Sequence, residues 1–121
     1  MTRIEAINEA DRLKPNAYST EEKLRWLERL EKRIREEILL RCEGTVPELP
    51  DFGTDDLSRT LQAPSPFDEM YIHWLCVQMD YYNGEPDSFN ASNALFEALF
   101  GRFRNACFRE RLPLTGEKRY F

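Results

Sequence analysis

Histidine and cysteine, the side chains that most often hold metals or act as nucleophiles, are scarce in this chain. His73 is the single histidine, and the cysteines Cys42, Cys76 and Cys107 are far apart, with no CxxC pair. An odd number of separated cysteines argues against both a disulfide framework and a zinc site. We therefore expect three reduced thiols in a cytoplasmic protein.

Long apolar runs and glycine-rich loops are also absent from the sequence. No stretch of about 18 apolar residues could span a membrane, and the first residues contain no apolar signal-peptide core. Neither GxxxxGK[ST] nor GxGxxG occurs, and these are the common loops that cradle phosphate groups. The sequence thus predicts no membrane span, no secretion and no phosphate-binding loop.

Basic residues are nearly missing from the middle of the chain. Residues 44–90 contain nine acidic residues and one base, Arg59, whereas residues 91–121 contain six bases and three acids. A protein that reads nucleic acid shows a dominant basic face, so this division and the net charge of −5 argue against that function. Such an asymmetry most often serves only to keep a protein soluble. The alternative is that it provides complementary surfaces for contact between subunits.

No group of residues has the spacing of a catalytic or metal site. Asp55-Asp56 and Asp68-Glu69 lack metal-ligand spacing and are typical of a solvated loop and of a helix start. His73 lies in the middle of a predicted helix, and a catalytic role requires suitable geometry first. We predict no catalytic, cofactor-binding or metal-binding residues and no enzymatic activity.

Capping boxes mark the starts of two predicted helices. Thr2–Glu5 begins a short helix that Pro15 closes, and Ser19–Glu22 begins a long helix that runs to about Cys42. The long helix has a narrow apolar stripe, and its exposed faces carry acid-before-base pairs four residues apart, including Glu31–Arg35. We expect these charged faces to be solvated, with contact between neighbouring subunits as the alternative.

The most apolar and aromatic stretch lies at residues 66–84. Its three- and four-residue spacing predicts a helix covered on most of its circumference, Tyr81 and Tyr82 included, and Asn83-Gly84 supplies the stop. Pro86 begins a second helix that continues to about residue 110. Because the connection is so short, we expect an antiparallel αα-hairpin with aromatic side chains between its helices.

Two segments lack a helical pattern. Residues 43–66, with four prolines and two glycines, are predicted as a long loop containing at most a short strand or helical turn. Residues 112–121 are predicted as a flexible tail, or as an extended anchor that orders against a partner. The 121 residues thus form one all-α domain. Its order is a short N-terminal helix, a long charged helix, the loop and a C-terminal hairpin, packed as a small helical bundle.

The central stretch resembles a family of small prophage proteins of Gram-positive bacteria. The resemblance is carried by Tyr71-Ile72-His73-Trp74-Leu75, by Asp80-Tyr81 and by the asparagine-containing start of the last helix, and it covers about residues 3–108. This family is similar to phage head–tail connectors, also called head-completion adaptors. Those proteins are small helical subunits that form a ring beneath the portal and lengthen the DNA channel.

The resemblance implies a structural virion protein that needs no cofactor. Its partners would be further copies of itself in a ring, the portal protein, and stopper or tail proteins. Contact with DNA would be passive, inside a channel, and no membrane would be involved. The protein would occupy the bacterial cytoplasm during assembly and then the head–tail interface of the virion.

Two other classes of function stay open at this point. A small prophage-encoded helical interaction module or regulator would act as a monomer or dimer and would have no affinity for a portal. An enzyme would require a pocket around His73, which the sequence does not indicate.

Overall fold

The protein is built from α-helices in the parts that the computed structural model describes, residues 1–41 and 56–111, with side chains as far as Arg109. Within these ranges there are four helices, α1 (Arg3–Leu13), α2 (Thr20–Glu37), α3 (Glu69–Asn83) and α4 (Pro86–Arg111). The same ranges contain no strand, so the all-α prediction is confirmed. No helix in the described ranges is long and apolar enough to cross a lipid bilayer.

Both predicted capping boxes are present and start the first two helices. The Thr2 hydroxyl accepts a hydrogen bond from the Glu5 N–H at 3.3 Å, and the Glu5 carboxylate accepts one from the Thr2 N–H at 2.8 Å. Ser19 and Glu22 repeat the exchange before α2, at 3.1 and 3.2 Å. Each box satisfies N–H groups that a helix start leaves without partners.

The end of α2 comes earlier than predicted. The sequence indicated an end near Cys42, but α-helical geometry stops at Glu37, because Ile38 adopts φ −121° and ψ −64°. A single 3-10 turn, Leu39–Arg41, follows. Such tight turns are common at helix ends. No glycine or proline lies between Ser19 and Gly44, so no signal in the sequence indicates the earlier end.

The start of α3 lies later than predicted. The N–H of Phe67 bonds the carbonyl of Pro64 at 2.9 Å and that of Met70 bonds Phe67 at 3.2 Å, so this stretch forms tight turns with bonds three residues apart. The α-helix therefore begins at Glu69, and Asp68 occupies the N-cap instead of the first turn. No hydrogen bond from the Asp68 side chain caps the helix.

The predicted stop of α3 is confirmed at Gly84. This glycine has φ 72° and ψ 37°, a left-handed conformation that costs glycine little. Its N–H donates to the carbonyls of Asp80 and Tyr81, which satisfies the end of the helix. Pro86 then begins α4, whose 26 residues make it about 38 Å long.

The core is organised around α3, which contacts α1, α2 and α4. Besides Asp80, four of its side chains have no exposed surface: Met70, Tyr71, Leu75 and Met79. Facing α4, the Trp74 ring lies 5.1 Å from the Phe96 ring between centroids. Burying one large apolar side chain stabilises the fold by about 1.5–3 kcal/mol, so this helix contributes a large part of the core.

The described end of the predicted loop is attached to the start of α1. The N–H of Arg3 donates to the carbonyl of Arg59 at 3.1 Å, and that of Ile4 donates to Leu57 at 3.0 Å. Leu61, with 3% of its surface exposed, then enters the core. The earlier part of that loop, residues 43–55, and the predicted tail at 112–121 lie outside the described residues.

Candidate interaction surface

Two adjacent tyrosines protrude from the end of α3. Tyr81 is 63% exposed and Tyr82 is 52% exposed, so the prediction that both lie in the covered stripe is wrong. In this last turn the inward positions belong to Met79 and Asp80, neither of which has exposed surface. The two residues that follow in the helix must therefore point outward, since successive positions are about 100° apart.

An aromatic cluster around the buried Trp26 holds Tyr82 in place. Its ring stacks on Trp26 with centroids 5.6 Å apart and planes 10° apart, and Trp26 itself is 5% exposed. Tyr18 meets Trp26 edge-on at 5.3 Å, and its hydroxyl lies 2.5 Å from the Asn83 side-chain oxygen, to which it donates. The Trp74 indole N–H donates to the Trp26 carbonyl at 2.7 Å.

An apolar groove lies beside these tyrosines, where α3 turns into α4. Its walls include Tyr81, Gly84, Pro86 and Phe89, and its volume is about 350 Å³. The Tyr81 and Phe89 rings are 6.1 Å apart between centroids. We call the exposed rings of Tyr81 and Tyr82 the tyrosine pair, and this depression the α3–α4 groove.

A buried charge lies beneath the groove. The Asp80 side chain has no exposed surface, and one of its oxygens lies 2.7 Å from the Lys14 ammonium. The hydroxyls of Ser88 and Ser92 donate to its other oxygen at 3.0 and 2.9 Å. These contacts join the end of α1 to α3 and α4, which fixes the walls of the groove.

The protonation of Asp80 follows from these partners. Burial acts to raise the pKa of Asp80, but Lys14 and the two serine hydroxyls outweigh it, so the pKa lies below its ordinary value. The contact with Asp80 likewise raises the pKa of Lys14 against the effect of its own burial. Sequence reasoning missed this cluster, although the four-residue spacing of Ser88 and Ser92 places both hydroxyls on one helix face.

A second buried carboxylate corrects the prediction for α2. Glu31 is 2% exposed, so its assignment to a solvated Glu31–Arg35 pair is wrong. The Tyr71 hydroxyl donates to Glu31 at 2.5 Å, and the Gln62 N–H donates to its other oxygen at 3.0 Å. Burial raises the pKa of Glu31, while these hydrogen bonds act in the opposite direction. This network ties the segment before α3 to α2.

The residues that could serve in catalysis or metal binding do not lie close together in the described part of the chain. His73 is partly buried on α3, and burial lowers its pKa while Glu69 acts to raise it. Asp56 pairs with Arg59 at 2.8 Å, and Asp55 lies outside the described residues. In residues 1–41 and 56–109, no three His, Cys, Asp or Glu side chains are grouped so that they could hold a metal ion.

The cysteines are also separate where they are described. Cys76 is a buried free thiol, and Cys107 is partly exposed. Burial raises the pKa of the Cys76 thiol, which makes it a poorer nucleophile at neutral pH. Cys42 lies outside the described residues.

The two ends of α4 differ in exposed charge. Glu85 and Asp87 are exposed at its start, next to the α3–α4 groove. Exposed arginines follow along the second half of the helix: Arg102, Arg104 and Arg109. At about 1.5 Å per residue, the acidic and basic groups are roughly 25–35 Å apart.

Comparison with known proteins finds no matching family model, and no significant match to a curated protein or to a solved structure. A function is therefore inferred from the exposed surface of α3 and α4 and from the sequence resemblance.

Proposed function

We propose that this protein is a structural assembly subunit that forms a homo-oligomeric ring, and that the ring is a phage head–tail connector. It would lie beneath the portal, extend the DNA channel and receive stopper or tail proteins. The residues of the prophage-like stretch motivate the specific role. The exposed features of α3 and α4 support the more general one.

The observation that carries the proposal is the polarity of α4. The tyrosine pair and the exposed Glu85 and Asp87 lie at one end, and exposed arginines lie towards the other. Unlike ends of this kind suit a head-to-tail contact, in which different surfaces of two copies meet, and such contacts generate rings when the rotation closes. Opposite charges also steer encounter and fix register.

The rigidity of the tyrosine pair fits an interface that is formed before binding. Tyrosine offers a large contact area with few rotatable bonds, and exposed aromatic side chains are enriched at binding hot spots. Tyr82 is already held by stacking on Trp26. Binding would therefore order few additional side chains, which reduces its entropic cost.

In this proposal α3 and α4 act together as an antiparallel αα-hairpin within a small helical bundle. Support comes from the connection of only Gly84 and Glu85 between them, and from the contact of Trp74 with Phe96. A stiff hairpin would present the tyrosine pair at one tip and carry the arginines towards its other end.

The proposed location follows from the connector role: the bacterial cytoplasm during assembly, then the head–tail interface. Contact with DNA would be passive, since a channel through which DNA slides should not bind phosphates tightly. No membrane partner and no catalytic step are part of the proposal.

Light scattering coupled to size-exclusion chromatography tests the proposal, with the protein alone and mixed with a phage portal protein from the same genome. We expect a concentration-dependent ring, or a ring that assembles on the portal. A strict monomer that ignores the portal at high concentration would overturn the proposal. A stable dimer without portal affinity would instead favour the small interaction module or regulator.

A matched pair of variants separates a specific interface from general stickiness. Tyr81→Ser with Tyr82→Ser removes the tyrosine pair, whereas Leu40→Ser removes another apolar side chain of similar exposure, 51%. Leu40 follows the far end of α2. We expect the tyrosine variant to lose assembly and the Leu40 variant to retain it, with both still folded by circular dichroism.

A further inference from the structure

The α3–α4 groove is exposed and mostly apolar, and the chain contains a segment of matching chemistry. We propose that residues 118–121, Lys118-Arg119-Tyr120-Phe121, of one copy dock into the α3–α4 groove of a neighbouring copy. This inference rests on the proposed function, since it names the contact that joins successive subunits of the ring.

The lining of the groove suits aromatic side chains. Tyr81 and Phe89 present ring surface, Pro86 and Gly84 also line the groove, and little of the lining is polar. No atom lies within 4 Å of the position that a Cβ of Gly84 would occupy, so the space beside this glycine is open. Two consecutive aromatic residues, Tyr120 and Phe121, supply rings of the size that such a depression accepts.

The charges beside the groove match the residues that precede those rings. Glu85 lines the groove and Asp87 is exposed next to it, and neither forms an ion pair with another described residue. The buried Asp80 does not add to this charge, because Lys14 neutralises it. Lys118 and Arg119 would therefore meet two exposed carboxylates, and arginine can bind a carboxylate through two parallel hydrogen bonds.

The length of the chain favours a contact between copies. From Arg111, where α4 ends, back to Pro86 at the groove is about 38 Å along the helix. Ten further residues, fully extended, reach at most about 36 Å. Phe89, the groove residue nearest Arg111, is about 33 Å away along the helix, so docking within one chain would require residues 112–121 to be drawn almost straight along α4. A neighbouring copy faces no such limit.

Photo-crosslinking of the full chain tests the contact directly. Chains labelled with nitrogen-15 and carrying p-benzoylphenylalanine in place of Tyr120 are mixed with unlabelled chains, irradiated and digested. We expect crosslinked peptides that join the labelled residue 120 to unlabelled residues 81–89. The same photoreactive residue in place of Leu40 is the control and should give no such product.

Charge reversal provides a second measurement that does not depend on crosslinking. Glu85→Lys and Arg119→Glu should each weaken association about tenfold or more, because like charges would then face each other. The double variant should recover most of the loss. Glu36→Lys makes the same change of charge at an exposed position of α2 and should have little effect.

The outcomes separate this contact from the ring itself. A ring of normal mass whose crosslinks lie within one chain, elsewhere on the neighbour or only on added portal protein overturns the docking and leaves the proposed function standing. Single variants that associate as tightly as the parent protein also overturn it, and so does a loss of association that the double variant fails to recover. A strict monomer with no crosslinks between chains overturns both.

Discussion

The Lys14 ammonium lies 2.7 Å from Asp80, a carboxylate with no exposed surface. This contact joins the C-terminus of α1 to the last turn of α3, and Ser88 and Ser92 extend it to α4. The end of the molecule that carries the tyrosine pair is therefore braced by a buried polar cluster as well as by apolar packing. We expect the proposed interface to be rigid only while this polar cluster is intact.

Asp80→Asn should destabilise the fold by about 2–3 kcal/mol, because it leaves a partly buried Lys14 without its counter-charge. Urea unfolding at pH 7 measures this loss. Glu9→Gln is the matched control: Glu9 also pairs with a base, Arg12, but both side chains are largely exposed. Surface pairs of that kind contribute roughly 0–1 kcal/mol, so equal losses in the two variants would contradict the buried cluster.

The same cluster predicts a pH dependence of known sign. Because the pKa of Asp80 is lowered in the folded state, its contribution to stability is present above the unfolded value of about 3.9. That contribution disappears as the pH falls through the folded pKa. The stability difference between the parent protein and Asp80→Asn should therefore shrink below about pH 4. A difference that stays constant down to the acid transition would contradict the assignment.

Glu31 should behave in the opposite way. Its pKa is raised in the folded state, chiefly by burial, so the folded state binds the proton more tightly than the unfolded chain does. The free energy of unfolding should then fall as the pH rises from about 4.3 through the folded pKa. Comparing Glu31→Gln with the parent protein across this interval isolates the effect, since the variant has no such titration. Parallel stability curves would contradict it.

Two glycines give a matched test of backbone geometry. Gly84→Ala should destabilise by about 1–2 kcal/mol, because φ is 72° there and nothing else would resist the new methyl group. Gly101 lies inside α4, and a Cβ there would meet only the Arg104 side chain at 3.9 Å, an ordinary contact. Gly101→Ala should therefore stabilise by about 0.5–1 kcal/mol. Thermal unfolding of both variants checks the opposite signs.

Much of the fold could be predicted from local signals in the sequence. The capping boxes at Thr2 and Ser19, the left-handed stop at Gly84 and the proline at the start of α4 were all predicted, because each depends on a few neighbouring residues. The end of α2 at Glu37 was not predicted. No glycine or proline lies between Ser19 and Gly44, so the local residue types do not indicate the change to a 3-10 turn.

The interaction surface was harder to predict because it depends on which helix face meets the core. Tyr81 and Tyr82 continue the apolar pattern of α3, yet the polar Asp80 takes the inward position. The inward position of Asp80 depends on its contacts with Lys14, at the end of α1, and with Ser88 and Ser92 in α4. Glu31 was misplaced for the same reason, since its partners Tyr71 and Gln62 are distant in sequence.

Native mass spectrometry of the purified protein, with and without the portal protein, tests the central claim most directly. We predict one closed oligomer with a fixed number of subunits, free or on the portal, that is lost in the Tyr81→Ser, Tyr82→Ser variant and kept in Leu40→Ser. A monomer or dimer under every condition, with the tyrosine variant indistinguishable from the parent protein, would contradict the account.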